Sequence, residues 1–137
     1  MPCEELAFSI PWENLQIQEG GQDNMSETIF TRIINREIPA DVVYEDELCL
    51  AFRDINPQAP VHILIIPKKA MPQLNDADDA DRELLGHLML AANKVAAREG
   101  VADGFRLVLN NGAAAGQEVF HMHFHLLAGR PFTWPPG

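Results

Sequence analysis

The sequence predicts an α+β domain with an antiparallel sheet, on three observations. Short apolar runs between residues 42 and 67, and again between 105 and 128, are separated by polar turns, as in hairpins. One long segment, from about Asp79 to Arg98, repeats its apolar residues with the period of a helix. No internal repeat interrupts the pattern, and 137 residues fit one domain.

Each element has a reason in the residues. Ile29–Asn35 reads as a short helix, stopped before Pro39. Val42–Tyr44 and Leu48–Arg53 read as two strands joined at Glu45-Asp46-Glu47. Asn56-Pro57-Gln58-Ala59-Pro60 is a loop. His62–Pro67 is a third strand, and its continuous apolar run predicts burial on both faces. Asp76–Asp79 puts carboxylates where a helix N-terminus favours negative charge. The helix that follows aligns Leu84, Leu85, Leu88, Ala91, Ala92 and Val95 on one stripe, and Gly100 is its expected stop. Phe105–Asn110 and His121–Ala128 complete the sheet.

Residues 1–24 differ from the rest. They hold five acidic residues and no Lys or Arg, and end in the polar, glycine-containing stretch Gln18–Asn24. They are expected to be an N-terminal extension, disordered or loosely docked, ahead of a domain over 25–137. The formal net charge of −10 argues against a nucleic-acid backbone as partner. Cys3 and Cys49 suggest no disulfide framework and fit a reducing compartment. No apolar run approaches a membrane span, and the start lacks the pattern of a signal peptide. The expectation is a cytoplasmic protein without a membrane partner.

The most informative run is His121-Met122-His123-Phe124-His125-Leu126-Leu127. On a strand, His121, His123 and His125 share one face and Met122, Phe124 and Leu126 the other. Neighbouring rings would then stand roughly 7 Å apart, from a rise of about 3.3 Å per residue. Buried imidazoles need partners for their nitrogens, so such a row is costly without a task. Three readings compete: a half-exposed strand face, a zinc site, and nucleophilic chemistry on a phosphorus or acyl centre. Spacing alone leaves the last two open. The stretch just upstream, Asn110 to Phe120, favours the nucleophile. Its glycines and alanines suit a loop that brings backbone N–H groups close to an anion.

These residues resemble the histidine triad, His-φ-His-φ-His-φ-φ, of the HIT nucleotide hydrolases and transferases. The likeness extends to Phe30–Pro39, Ala51–Pro60, His62–Lys69 and the terminal Trp134-Pro135-Pro136-Gly137, which look like the Hint branch. It covers about residue 26 to the end. The resemblance implies a HIT-like fold with a five-stranded antiparallel sheet, one long and one short helix, and two sheets joined across a homodimer. It also implies a purine nucleoside phosphoramidase acting on AMP- or GMP-like amidates, with no metal or other cofactor. The rivals are a nucleotide-binding adaptor and a metal-dependent hydrolase that uses the histidine row as ligands.

Carried onto this chain, the resemblance makes His123 the nucleophile and His125 a donor to the phosphate. His121 and His62 become supporting residues, although position alone reads His62 as a capped histidine at a strand start. Asp54 would accept the ribose hydroxyls. Phe30, Ile33, Phe52 and Ile55 would line the base slot, with ordinary core as the competing reading. Asn110 and the N–H groups of Gly116 and Glu118 would meet the phosphate. Trp134 would reach the leaving-group side across the dimer. A backbone carbonyl in the Asn110–Gly116 loop is the expected partner of His123, and His87 is read as structural or surface. Ala115 departs from the usual Gly of a Gly-Gly-Gln, Ala128-Gly129 from Gly-Gly, and Glu118 stands where some relatives have Ser.

Overall fold

The structure is a computed structural model and describes residues 27–137; the expectation for residues 1–24 lies outside the described residues. Helix α1 spans Ile29–Ile34 and helix α2 Arg82–Arg98. The strands are β1 (Val42–Glu45), β2 (Cys49–Arg53), β3 (Val61–Pro67), β4 (Phe105–Leu109) and β5 (Phe124–Ala128). They form one antiparallel sheet in the order β1-β2-β3-β5-β4. This is the fold class expected from the sequence: five antiparallel strands with one long and one short helix.

Strand β3 is buried on both faces, so the sheet carries two cores. On one face Cys49, Ala51, Ile63, Ile65 and Leu126 pack against Leu88, Ala91, Ala92, Val95 and Ala96 of α2. That is the stripe expected from the helical period, lengthened by Ala96. On the other face Leu50, Phe52, Leu64 and Ile66 pack against Ile29, Phe30 and Ile33 of α1. Fully burying each Leu, Ile or Phe contributes about 1.5–3 kcal/mol, so both layers matter to stability.

Helix ends follow local chemistry. The Thr28 hydroxyl accepts from the N–H groups of Phe30 (3.1 Å) and Thr31 (3.3 Å), which caps α1. The expected start of the long helix at Asp79 is corrected: Asp79–Asp81 is a 3-10 turn, and α2 begins at Arg82. Asp78 caps that turn by accepting from the Ala80 N–H at 2.9 Å. The acidic run therefore ends the preceding turn rather than the helix proper. Gly100 (φ 74°) stops α2, with the Val101 N–H on the Ala96 carbonyl and the Gly100 N–H on that of Ala97.

The C-terminal tail is tied back onto the domain. Phe132 lies between the guanidinium of Arg130 (4.4 Å) and that of Arg106 (5.0 Å). Arg130 also donates to the Gln58 carbonyl (3.2 Å), and Arg106 to that of Thr133 (3.0 Å). Gly129 (φ 97°) makes the preceding bend, where a Cβ would stand 2.8 Å from Pro60 Cβ. No other residue fits there without moving Pro60.

Asp46 pins the β1–β2 turn to α2. Its Oδ1 accepts from the N–H groups of Leu48 (2.8 Å) and Cys49 (2.9 Å). Its Oδ2 accepts from the Tyr44 hydroxyl (2.8 Å) and faces His87 Nε2 at 2.7 Å. His87 is thus a structural residue. Burial alone would raise the Asp46 carboxyl, but donors from Leu48, Tyr44, His87 and Cys49 hold it well below the usual carboxylate range. An Asp46→Asn variant turns one acceptor into a donor facing Tyr44 and His87. It should lose about 1–3 kcal/mol of unfolding free energy at neutral pH, read by urea denaturation. A depressed folded-state value means the carboxylate stabilises above its unfolded value of about 4 and stops doing so as pH falls through the folded one. The difference from the parent should therefore narrow steadily below about pH 4; a constant difference would disprove a role for the ionised form.

Candidate active site

The histidine row does not form a continuous strand. Strand β5 begins at Phe124, where Ile65 and Leu109 make the last pairings, so the expected strand start at His121 is corrected. His121-Met122-His123 runs on past the ladder, with the Met122 N–H on the Met71 carbonyl at 2.7 Å. Alternation of sides persists nonetheless. Met122 and Leu126 are buried and Phe124 packs on the α2 side. The histidines lie on the α1 side, where Phe30 meets His123 edge-on at 5.0 Å and His121 at 6.1 Å. Leaving the flat strand also draws the rings together: His123 and His125 have centroids 4.9 Å apart, not 7 Å.

The same departure frees backbone carbonyls to orient the rings. His121 Nε2 donates to the Pro67 carbonyl at 2.7 Å. His123 Nδ1 lies 2.8 Å from the carbonyl of His121, two residues back. The partner of His123 is therefore not the Asn110–Gly116 loop, as expected, but the chain's own turn. A carbonyl only accepts, so Nδ1 carries the proton and Nε2 keeps its lone pair. Burial holds His123 down to about 4, against 6.5 for an ordinary histidine. The ring is neutral at pH 7 and its Nε2 is a free base.

A second chain of bonds fixes His125. The Gln58 N–H donates to His62 Nδ1 at 3.0 Å, so the His62 proton sits on Nε2. That nitrogen is 2.9 Å from His125 Nδ1, which must accept. The His125 proton is consequently on Nε2. Burial lowers His125 to about 4 and lowers His62 as well, so both rings are neutral at pH 7. His123 then offers a lone pair and His125, beside it, an N–H donor.

Both histidines line a cleft of about 270 Å³. It brings together Phe30, Asp54, His62, Asn110, Gly116, Glu118, His123 and His125, all named from the sequence. His121 stands behind it, 2% exposed. Ile33 and Phe52 lie at 1% and 0% exposure in the core around Phe30, so they support the wall rather than form it. Ile55 is 36% exposed and outside the cleft, and Trp134 is 81% exposed. Asp54 is raised, by burial first and the Glu118 charge second, against a bond from the Asn56 N–H.

The loop beneath differs in detail from expectation. Ala113–Ala115 is a single 3-10 turn, and the Gly116 N–H is taken by the Ala113 carbonyl at 3.0 Å. The N–H expected to meet the phosphate is thus bonded within its own turn. Gly116 serves through its backbone angle (φ 99°), which returns the chain to the cleft. Ala115 sits within the turn, not at a positive φ, so its methyl is tolerated. The loop is held by Gln117, which sequence reasoning did not single out. Its Oε1 accepts from the Gly112 N–H (2.7 Å), and its Nε2 donates to the carbonyls of Pro72 (2.7 Å) and Val119 (3.0 Å). A polar residue in a run of glycine and alanine was the available signal. Asn56, Gln58, Leu64 and Val119 also line the cleft; the role of Gln58 belongs to its backbone and leaves no mark on residue type.

Among the described residues, two groups could offer ligands to a metal: Asp54, His62 and His125 in the cleft, and Asp46, Cys49 and His87 beneath the β1–β2 turn. In each, two candidate ligand atoms are already hydrogen-bonded, at 2.9 Å and 2.7 Å. Two nitrogens on a tetrahedral zinc stand about 3.3 Å apart, so either set would have to open to take the ion. Of the triad itself, His121 Nε2 and His123 Nδ1 are occupied by carbonyls.

The depressed histidines make a prediction. Because His123 and His125 bind protons less readily folded than unfolded, stability should be full above about pH 6.5 and fall as pH drops toward about 4. Imidazole NMR titration should find both groups titrating near 4; values near 6.5 would contradict a buried neutral pair.

Comparison with known proteins agrees with this geometry. The HIT domain model matches residues 35–132. The chain is 55% identical over 114 residues to the 14 kDa zinc-binding protein of Zea mays, covering 82% of this chain and 89% of that one. It superposes on a HIT family hydrolase from Legionella pneumophila with a TM-score of 0.77 at 55% identity, over 79% of this chain and 97% of that one. A histidine triad nucleotide-binding protein from Candida albicans gives a TM-score of 0.68 at 32% identity, over 78% and 82%. By motif, fold and sequence alike, the chain belongs to the HIT domain family.

Proposed function

We propose that the protein is a Hint-type hydrolase that cleaves the P–N bond of purine nucleoside phosphoramidates through a nucleotidyl-histidine intermediate. The observation that carries this reading is the Nε2 lone pair of His123, fixed by the Nδ1 bond to the His121 carbonyl. In the proposed reaction Nε2 attacks the α-phosphorus. The P–N bond breaks as the nitrogen takes up a proton and departs as the amine. The proton for the departing amine comes from solvent; water then cleaves the P–Nε2 bond, releases the nucleoside monophosphate and gives one proton back to solvent. His125 Nε2–H stabilises the phosphoryl oxygens, as a donor already aimed before the reaction. Asp54 receives the ribose hydroxyls, and Phe30 borders the nucleoside. The Glu118 carboxylate must turn from the phosphate.

This function is supported, beyond the site, by the hydrolase and nucleotide-binding names of the two structural relatives. A metal-dependent hydrolase is the second reading, favoured by the name of the maize relative and the Asp54–His62–His125 trio. A nucleotide-binding adaptor has less support, since binding alone needs no oriented nucleophile. We also propose a two-fold homodimer. Strand β4 lies at the sheet edge, where its outer backbone groups can pair with a second copy, and α2 exposes Met89 and Leu90.

His123→Ala should lower turnover of a fluorogenic adenosine phosphoramidate by about a thousandfold or more, while still binding AMP. Rapid quench with mass spectrometry should find adenylate on His123 in the parent, with or without EDTA. Adenylate elsewhere would overturn the assignment, and activity lost to EDTA and restored by zinc would favour the metal reading. Light scattering at micromolar concentration should give a dimer. Removing residues 133–137, with Trp134, should spare the dimer and shift leaving-group preference more than nucleoside affinity; unchanged preference would make Trp134 a bystander.

A further inference from the structure

Asp54 faces a proton it has no part in on the reading above. Its Oδ2 is 3.4 Å from His62 Nε2, the nitrogen that donates to His125 Nδ1 at 2.9 Å. One N–H thus stands before two acceptors. The nearer is a neutral imidazole and the farther an anion. The other Asp54 oxygen, Oδ1, accepts from the Asn56 N–H at 2.8 Å, so Oδ2 is the one left to compete. Both side chains are shielded from water, 4% exposed for His62 and 12% for Asp54. Burial first, and the nearby Glu118 charge with it, raise Asp54, which makes its carboxylate a stronger acceptor. Among the described residues, the Gln58 backbone sets His62, and His62 sets His125 in its Nε2–H form.

We infer that Asp54 is a positioning residue that couples recognition of the ribose hydroxyls to the proton position on His125. The inference rests on the nucleotide reading of the cleft. When Oδ2 draws the His62 N–H, His125 Nδ1 loses its donor and the His125 proton is free to sit on either nitrogen. With the proton on Nδ1, His125 turns a lone pair toward the phosphoryl oxygens instead of a donor. A ribose diol that gives its hydroxyl protons to Asp54 saturates the carboxylate. The His62 N–H is then committed to His125, and the donor is set. Only the His125 proton changes place: its bond to Nε2 breaks and a bond to Nδ1 forms, by exchange through water, and no bond to carbon or phosphorus changes. The diol is read as a condition for turnover as well as a handle for binding.

The test uses the full chain with AMP and 2′,3′-dideoxy-AMP, each at saturation, and nitrogen-15 NMR of the imidazoles. AMP should hold His125 wholly in the Nε2–H form, and dideoxy-AMP should leave a mixture of both tautomers. In turnover, the dideoxy phosphoramidate should lose about tenfold or more in kcat beyond any rise in KM, part of what an aimed proton donor supplies. In Asp54→Asn, where no anion competes, kcat should no longer respond to the hydroxyls, although KM still does. Equal His125 tautomers with the two nucleotides, or a loss confined to KM in the parent, would overturn the coupling while leaving the hydrolase intact. Failure of AMP to bind would refute the nucleotide reading and this inference with it.

Discussion

The site depends on where the β5 ladder stops. A strand carried back to His121 would spend its carbonyls on its neighbours. Because pairing ends at Phe124, the carbonyls of His121 and Pro67 are available to His123 and His121. Buried imidazoles need partners, and here the backbone provides them. The orienting acceptors of His121 and His123 are dipoles rather than charges. That is why burial can depress these rings instead of a carboxylate lifting them. His123 is neutral because it is buried and its Nδ1 partner is a carbonyl.

The sheet register explains how the second histidine pair meets. Across β3 and β5, His62 stands opposite Leu127 and Leu64 opposite His125. The two histidines are therefore diagonal neighbours on one face, close enough for long side chains to join. His62 stands on β3, which is buried on both sides, with α2 beneath Ile63 and Ile65 and α1 beside Leu64 and Ile66. The cleft thus rests on a strand packed on both faces, while the loop beside it is shaped by one buried amide, Gln117.

Much of this was legible in the residues. The α2 stripe, the double burial of β3 and the sidedness of the histidine row follow from periodicity, which records where side chains point. Periodicity does not record hydrogen bonding, so it carried β5 three residues too far. The resemblance placed Ile33 and Phe52 with Phe30 in the base slot, and apolar identity could not separate a wall from the core behind it. Ile55 failed for a simpler reason: Asp54 and Asn56 face the cleft, and their neighbour faces away. The Gln58 N–H and the His121 carbonyl belong to the main chain, where every residue type looks alike. Their roles are visible only once the fold has brought distant segments together.

The arginine pair around Phe132 has a consequence for how the protein is handled. Arg130 joins the tail to the carbonyl of Gln58, whose own N–H holds His62. One peptide separates the anchor of the chain's end from the first link of the imidazole chain. A purification tag, a fused partner or a surface tether attached after Gly137 would pull on that anchor. Attachment there places mechanical load beside the cleft, whereas an immobilisation point on the solvent side of α2, such as Lys94, bears on a helix whose residues do not line the cleft.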